Sequence, residues 1–355
     1  MANRVYPTAV PASGNGWNFE YFSAAFLFFE NRKDVQSIKV ERKYFDDICL
    51  ELRDNTKIVA QAKSALSGAE LVSKGHMSQV KEGVASLLDN YQAGIKKLVF
   101  VFNYHKPFGA GTFFNYNLAT DNKPFCNLED ADQGEIKNAV VNNKNSSEVG
   151  RVCFTYLHYE GESENDKHSY LIHYFQEHAS EVFQVFSSTI SAPNILEKWI
   201  DLIANTVSDK KSLNSGILSG VILLDGLKAF RPSSAVSQFP SIIFHNGEGV
   251  VLDNKFQDFL GSNYLSFEEM NEIYCHYLSY INMKGIDSSL PSSLNSYFSS
   301  LRREDLPAYW DKLGFSDAEK QQNYDLHFFE LVIVFLSEKE RLIDAIGKEF
   351  PYENQ

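Results

Sequence analysis

The sequence predicts an α/β fold: a mixed sheet flanked by helices, followed by a second, mostly helical part with a few strands. Three stretches carry that reading. Asp47-Ile-Cys-Leu-Glu-Leu52 and Lys57-Ile-Val-Ala-Gln-Ala-Lys63 alternate about Arg53-Asp-Asn-Thr56, so they read as antiparallel strands joined by a turn. Met77–Ile95 repeats Val80, Val84, Leu87, Leu88, Tyr91 and Ile95 at helical spacing, and the continuous apolar run Leu98–Phe102 follows it. That order is a crossover helix feeding a buried strand. From residue 255 onward the apolar spacing is helical.

In chain order, residues 1–16 form a polar, Pro- and Gly-containing arm. Gly14-Asn-Gly16 is no phosphate loop, because no strand precedes it and no Lys-Ser or Lys-Thr follows. Phe19, Phe22, Phe26 and Phe29 predict a helix over 18–31, with Glu20 on its flank. Ile38–Glu41 reads as a short strand leading into the hairpin, and 64–76 as a loop bordering it. His76, in that loop, either contacts phosphate or is simply solvated. Residues 103–150 are loop-rich and end in Asn142-Asn-Lys-Asn-Ser-Ser147, so a first domain of 1–145 and a second of 146–355 are expected. Val152–Leu157 reads as a strand, 194–207 as a helix, Val221–Leu224 as a further apolar run, and Ile242–Gly247 with Val250–Leu252 as a hairpin turning at Asn246-Gly247. Ser266-Phe-Glu-Glu269 and Ser316-Asp-Ala-Glu319 are capping boxes, and 323–348 is a helix apolar enough to dock on its own domain or on a partner.

Composition narrows the class. Over 355 residues, 44% hydrophobic and 14% aromatic content belongs to a folded protein with a sizeable core. The 28 Phe and 18 Tyr read as packing and interface residues. The net charge of −13 is unevenly spread. Residues 1–106 hold 14 of the 33 basic and 11 of the 46 acidic side chains, a balance of +3 that leaves −16 for the rest. An acidic second half suits a protein partner, a block on nucleic acid before activation, or plain solubility. Cys49, Cys126, Cys153 and Cys275 are scattered with no CxxC pair, which excludes a zinc ribbon and a disulfide framework and suits a reducing, cytoplasmic setting. Met-Ala-Asn-Arg-Val-Tyr-Pro does not read as a signal peptide, and the apolar stretch Leu331–Leu336 is too short to span a membrane. His168, His173 and His178 recur every five residues, which does not keep them on one helical face for a metal.

The hairpin is where chemistry concentrates. Alternation puts Asp47 opposite the Ile48, Leu50 and Leu52 face, and Val59, Gln61 and Lys63 on one face of the second strand. Antiparallel pairing then brings Asp47, Gln61 and Lys63 to one edge. Mg²⁺ takes oxygen ligands and keeps several waters, so the Asp47 carboxylate, the Gln61 amide oxygen and the Ala62 carbonyl suit it, with Mn²⁺ as an alternative. Such an ion acidifies water and polarises phosphoryl oxygens, while Lys63 orients the water or stabilises charge on phosphorus. The chemistry indicated is phosphodiester hydrolysis; the bland alternative is a hairpin with a solvated polar face. The bare acid-or-Gln, any residue, Lys pattern also occurs from Glu41, Gln79, Asp121, Glu135, Asp209 and Asp253, so only the strand context distinguishes the copy at Gln61. Glu20 is either an accessory acid or a helix-dipole partner, and both Asp46 and Asp47 remain candidates for the ligand, with alternation favouring Asp47.

Glu20 in Gly16-Trp-Asn-Phe-Glu20, then Glu41, Asp46-Asp47-Ile48 and Gln61-Ala-Lys63, resemble the PD-(D/E)XK nuclease superfamily in its variant with Gln for the acid, as in Mrr-like restriction nucleases. The resemblance runs over about residues 14–105 and extends to nuclease domains of bacterial anti-phage effectors. Some of those, in CBASS systems, are fused to a cyclic-oligonucleotide sensor; others, in Lamassu systems, stand beside an SMC-like ATPase. It implies a restriction-endonuclease-like fold, Mg²⁺-dependent cleavage of double-stranded DNA, catalytic Asp47, Gln61 and Lys63 with Glu20 as accessory acid, and control by partner subunits or homo-oligomerisation through the second half. Gln61 removes one anionic ligand from the family's usual set. A Lamassu-like nuclease subunit is the leading expectation; a CBASS-type nuclease switched by a cyclic oligonucleotide and a non-catalytic assembly subunit are the alternatives.

Overall fold

The computed structural model describes residues 14–41, 47–65, 76–105, 107–108, 111–209, 212–228, 248–262, 265–286 and 292–351. They fall into two compact units, Met1–His178 with Leu196–Ser215, and Ala179–Ile195 with Gly216–Gln355. The chain is α/β, with a mixed sheet flanked by helices and a mostly helical second unit.

The first unit is built on a seven-stranded sheet. Its strands are β1 (Val35–Glu41), β2 (Asp47–Leu52), β3 (Lys57–Lys63), β4 (Ile95–Phe102), β5 (Thr120–Pro124), β6 (Val152–Leu157) and β7 (Leu213–Asn214), in the order β5-β6-β4-β3-β2-β1-β7. β1, β2 and β3 form an antiparallel meander, whereas β3, β4 and β6 run parallel. The parallel centre explains the near-continuous apolar runs of β4 and β6, because both their faces are covered. Helix α1 (Gly14–Glu30) packs on β1, β2 and β3. It is buried nearly all round: Phe29 stacks on Phe175 of α4 (Glu164–His178) with ring centres 4.1 Å apart, and Phe28 meets Trp199 of α6 (Ala192–Asp209) edge-on at 5.1 Å.

Helix α2 (His76–Asp89) covers the other face, burying Val80, Val84, Leu87 and Leu88 against Val59, Leu98 and Phe100. It stops earlier than its apolar pattern, and β4 starts earlier. Gly94, at φ +97°, makes the turn between them and accepts from Lys57 N at 2.9 Å, so Ile95 begins a strand. Helix α3 (Asp130–Ala139) packs beside α2, tied to it by Lys81 and Glu135 at 2.8 Å.

The break expected between 145 and 146 falls inside this unit. The Asn-rich stretch is a surface turn pinned to α2, with Asn143 Nδ2 donating to Asp89 Oδ1 at 2.9 Å and Asn145 Nδ2 to Leu88 O at 2.6 Å. Beyond it β6 enters the sheet between β4 and β5, so polarity here marked a turn and not a domain edge.

The second unit contains α5 (Ser180–Phe183), α7 (Ser215–Leu227), α8 (Glu248–Ser262), α9 (Phe267–Lys284), α10 (Ser292–Ser300), α11 (Asp317–Gln321), α12 (Tyr324–Ser337) and α13 (Glu340–Glu349). Both predicted capping boxes form, at Ser266 with Glu269 and at Ser316 with Glu319. α12 packs against α8, α9, α11 and α13, which answers its all-round apolarity with a place in its own core. The apolar run Val221–Leu224 lies within α7, and one expectation is corrected: Val250–Leu252 lies within α8, because a short apolar run cannot distinguish buried helix from strand. The first arm of that expected hairpin, 242–247, is outside the described residues. No described helix is long and apolar enough to cross a membrane.

Candidate active site

The β2–β3 turn has the chemistry its residues dictate. Asn55 takes φ +61°, its N–H donates to Leu52 O at 3.0 Å, and Asp54 Oδ1 accepts from Thr56 N at 3.0 Å. That turn sets the register: Leu50 opposite Ile58, Cys49 opposite Val59, and Asp47 opposite Gln61. A one-residue slip would move every side chain to the wrong face, and the apolar Ile48–Leu50–Leu52 side opposes it. β3 outruns β2 by two residues. Ala62 and Lys63 pair with Val101 and Phe102 of β4 and, among the described residues, with nothing on the β2 side.

Gln61 and Lys63 thus share the α2 face of the sheet at the carboxyl end of β3. Gln61 is only 5% exposed. Its Oε1 is buried and, among the described residues, meets no hydrogen-bond donor. It lies under α2 where Gly83 leaves room: a Cβ on Gly83 would stand 3.1 Å from Gln61 Oε1. Lys63 is half-buried. The backbone of Asp47 opens β2 directly across from Gln61, and Glu41 ends β1 opposite Asp47; the side chains of both, and Asp46 altogether, are outside the described residues. Glu20 comes from α1, which covers the other face; it is half-buried and its Oε1 is out of reach of solvent.

A buried amide oxygen without a donor costs about 1–3 kcal/mol unless something fills the gap. The oxygen of an amide beside an acidic strand position suits a hard cation such as Mg²⁺ or Mn²⁺. No group of three His, Cys, Asp or Glu side chains is arranged for a metal among the described residues. Mg²⁺ keeps several waters of its own, so few protein oxygens suffice to hold it.

Residues beyond the sequence motif close the same edge. Asn103, after β4, accepts from Ala65 N at 2.8 Å and donates to Ala65 O at 3.2 Å and Tyr159 O at 3.4 Å, tying the ends of β3, β4 and β6 together. His105 Nε2 meets Glu160 Oε1 at 2.6 Å, and Tyr156 OH donates to the same oxygen at 3.1 Å. Burial, then the Glu160 carboxylate, pushes the Tyr156 phenol up, so it stays protonated. The signal for these residues was Asn103-Tyr-His105 directly after a buried strand, since ligands in α/β folds gather at the carboxyl ends of parallel strands.

Each histidine has a defined place, and only His76 departs from its expectation. His76 is not a solvated loop residue: it opens α2, is buried, and lies face to face on Tyr104 with ring centres 4.2 Å apart and planes at 5°. His168 stacks on Phe22, His173 pairs with Glu177 at 3.1 Å, and His178 stacks on Tyr174, so α4 spreads the three apart.

No family model matches this sequence, and neither does any curated protein. One solved structure, the Cap4 SAVED/CARF-domain containing receptor of Moraxella osloensis, is similar at 14% identity and a TM-score of 0.31, over 59% of this chain and 47% of that one. The chain spans about half the length of that protein.

Proposed function

We propose that the chain is a Mg²⁺-dependent endonuclease acting on double-stranded DNA. The observation that carries this reading is the buried Gln61 Oε1, which meets no hydrogen-bond donor among the described residues, two residues before Lys63 and directly across the ladder from Asp47. Asp47 and Gln61 would hold the ion, with the Ala62 carbonyl as a further oxygen. When bound, the ion would acidify a water and polarise a phosphoryl oxygen. Lys63 carries its ammonium on the same face, where it donates to the attacking water or to an oxygen gaining charge on phosphorus. Asn103 keeps the three strand ends in place, and Glu20, on the helix of the opposite face, enters only as the accessory acid that the resemblance implies. The wider assignment, an effector subunit of a bacterial anti-phage or anti-plasmid defence complex governed by an SMC-like ATPase and oligomerisation, rests on the resemblance of Glu20, Asp47 and Gln61-Ala-Lys63 to such nucleases.

The test is plasmid cleavage with Mg²⁺, alone and with the partner proteins, by the chain and by Lys63→Ala. Cleavage lost with Lys63 supports the reading. No cleavage by the unaltered chain in any assembled state, with the fold intact, supports the assembly-subunit alternative.

A nucleotide-sensing role would require a basic cavity in the second unit. A cavity of about 230 Å³ there is lined by Lys255, Asp258, Lys312, Phe315 and Phe328. Both lysines are engaged: Lys255 donates to Gly314 O at 3.2 Å and lies 4.9 Å from the Phe315 ring centre, and Lys312 pairs with Glu269. That volume falls below the roughly 300 Å³ at which small-molecule sites begin. With both lysines engaged and Asp258 beside them, this cavity favours that role neither by charge nor by size, and a melting-temperature screen with cyclic oligonucleotides tests it.

A further inference from the structure

We infer that His105, held by Glu160, is the group that protonates the leaving oxygen when the phosphodiester is cut. The inference rests on the nuclease reading and adds to it the proton transfer that Lys63, on the attacking side, does not make.

His105 and Glu160 stand apart from the Asp47, Gln61 and Lys63 set. Nε2 of His105 meets Glu160 Oε1 at 2.6 Å, and the two side chains are 27% and 25% exposed, so the pair is open to a ligand. Glu160 is itself fixed: Tyr156 OH donates to the same oxygen at 3.1 Å, from a fully buried ring on β6. The His105 ring is stacked on Tyr116 with centres 4.5 Å apart. A ring held at one nitrogen and on one face has a set orientation, and its bond to a carboxylate keeps a proton on Nε2. Nδ1 meets no hydrogen-bond partner among the described residues.

The pair belongs to the edge that carries Lys63. Lys63 is in register with Phe102, and Phe102 with Tyr156, so the three form one row across β3, β4 and β6. Asn103 binds Ala65, two residues past Lys63, and the carbonyl of Tyr159, the residue before Glu160. Neighbouring strands are about 4.8 Å apart, which sets position 63 about 10 Å from position 156. In-line displacement puts the attacking and leaving oxygens on opposite sides of phosphorus. Two groups that each hydrogen-bond one of those oxygens are then also roughly 10 Å apart.

The water oxygen bonds phosphorus, the bond from phosphorus to the leaving sugar oxygen breaks, and its electron pair stays on that oxygen. In the imidazolium form both ring nitrogens of His105 carry protons. The Nδ1 proton goes to the leaving oxygen, a proton of the attacking water goes to solvent, and neutral His105 regains its proton from solvent. The neighbours do not supply this proton. Gln61 and Asn103 are amides, and burial pushes the Tyr104 and Tyr156 phenols up and His158 down.

The experiment compares two duplex oligonucleotides in the same Mg²⁺ buffer, one natural and one with a bridging sulfur in place of the leaving oxygen. A thiolate leaves without a proton, because thiols are far stronger acids than alcohols. His105→Ala is expected to cut the natural linkage about 100-fold more slowly or worse, and the sulfur linkage at nearly the rate of the unaltered chain. Glu160→Gln, which removes the positioning carboxylate, should give a smaller loss with the same rescue. Melting temperatures are read in parallel, and His105→Gln, whose amide can still donate to Glu160, replaces His105→Ala if that variant does not fold. An equal loss on both linkages marks a structural role and overturns the proposal. Cleavage abolished by Lys63→Ala but untouched by the His105 variants overturns this role alone. No cleavage of either linkage by the unaltered chain, alone or with its partner proteins, overturns this role and the nuclease reading together.

Discussion

A Cβ on Gly83 would lie 3.1 Å from Gln61 Oε1 and 2.2 Å from Phe100 Cε2. Helix α2 approaches the sheet this closely because residue 83 has no side chain. In an exposed helix interior, Gly→Ala stabilises by about 1 kcal/mol. Here Phe100 is a fully buried ring and cannot yield. Gly83→Ala is therefore expected to destabilise by about 1–3 kcal/mol through overpacking, and to lower cleavage by displacing Gln61. Urea denaturation beside a cleavage assay checks both; a stabilised, fully active variant would remove this account of Gly83.

Gln61 itself separates folding from function. Gln61→Met keeps the volume and removes a buried amide oxygen that meets no donor among the described residues, so the metal-free fold gains about 1–3 kcal/mol while cleavage is lost. Gln61→Glu buries a carboxylate, which destabilises the metal-free protein at neutral pH. Mg²⁺ or Mn²⁺ then restores stability at lower concentration than in the unaltered chain. Melting temperatures in chelator and in metal decide; if metal moves neither protein, no ion binds at 61.

Two histidines make stability fall in mild acid. Burial against Phe22 holds His168 below its ordinary 6.5, against the pull of Glu164, and burial also lowers His158. The folded state then binds fewer protons than the unfolded chain just below pH 6.5. Their contribution is complete above 6.5 and shrinks as the pH drops through that value toward the depressed folded pKa. The melting temperature should drop between pH 7.5 and 5.5, and His168→Gln should flatten the slope. Parallel slopes for the two proteins would exclude His168 as a source.

In the second unit, Arg303 grips Asp325 with two bonds, Nε to Oδ2 at 2.8 Å and Nη2 to Oδ1 at 3.0 Å. Asp325 has a side chain 3% exposed and lies in the first turn of α12, and its carbonyl accepts from Trp310 Nε1 at 3.2 Å. Arg303→Ala leaves a buried carboxylate without its cation, a loss of about 2–3 kcal/mol. Arg303→Lys keeps the charge but not the fork, so it should fall between. Chemical denaturation of both variants ranks them.

What was legible in the sequence follows from the range of each pattern. β2 and β3 appear at their predicted bounds because alternation and an Asp-Asn turn act over a few residues. The caps at Ser266 and Ser316 are local for the same reason. β5 carries no strand pattern, because Thr120-Asp-Asn-Lys-Pro124 is a polar edge strand paired to β6 alone. α3 carries no apolar stripe, because Ile136 is the single apolar side chain it buries.

By itself, then, the sequence determined the hairpin, its register and the nearness of position 47 to Gln61 and Lys63, since these depend on neighbours in the chain. Tertiary structure alone decided that β6 belongs to the first sheet, that Gly83 makes the space over Gln61, and that Tyr104 lies on His76. Those contacts join residues far apart in the chain, where packing against a helix, and no local periodicity, sets which side chains meet.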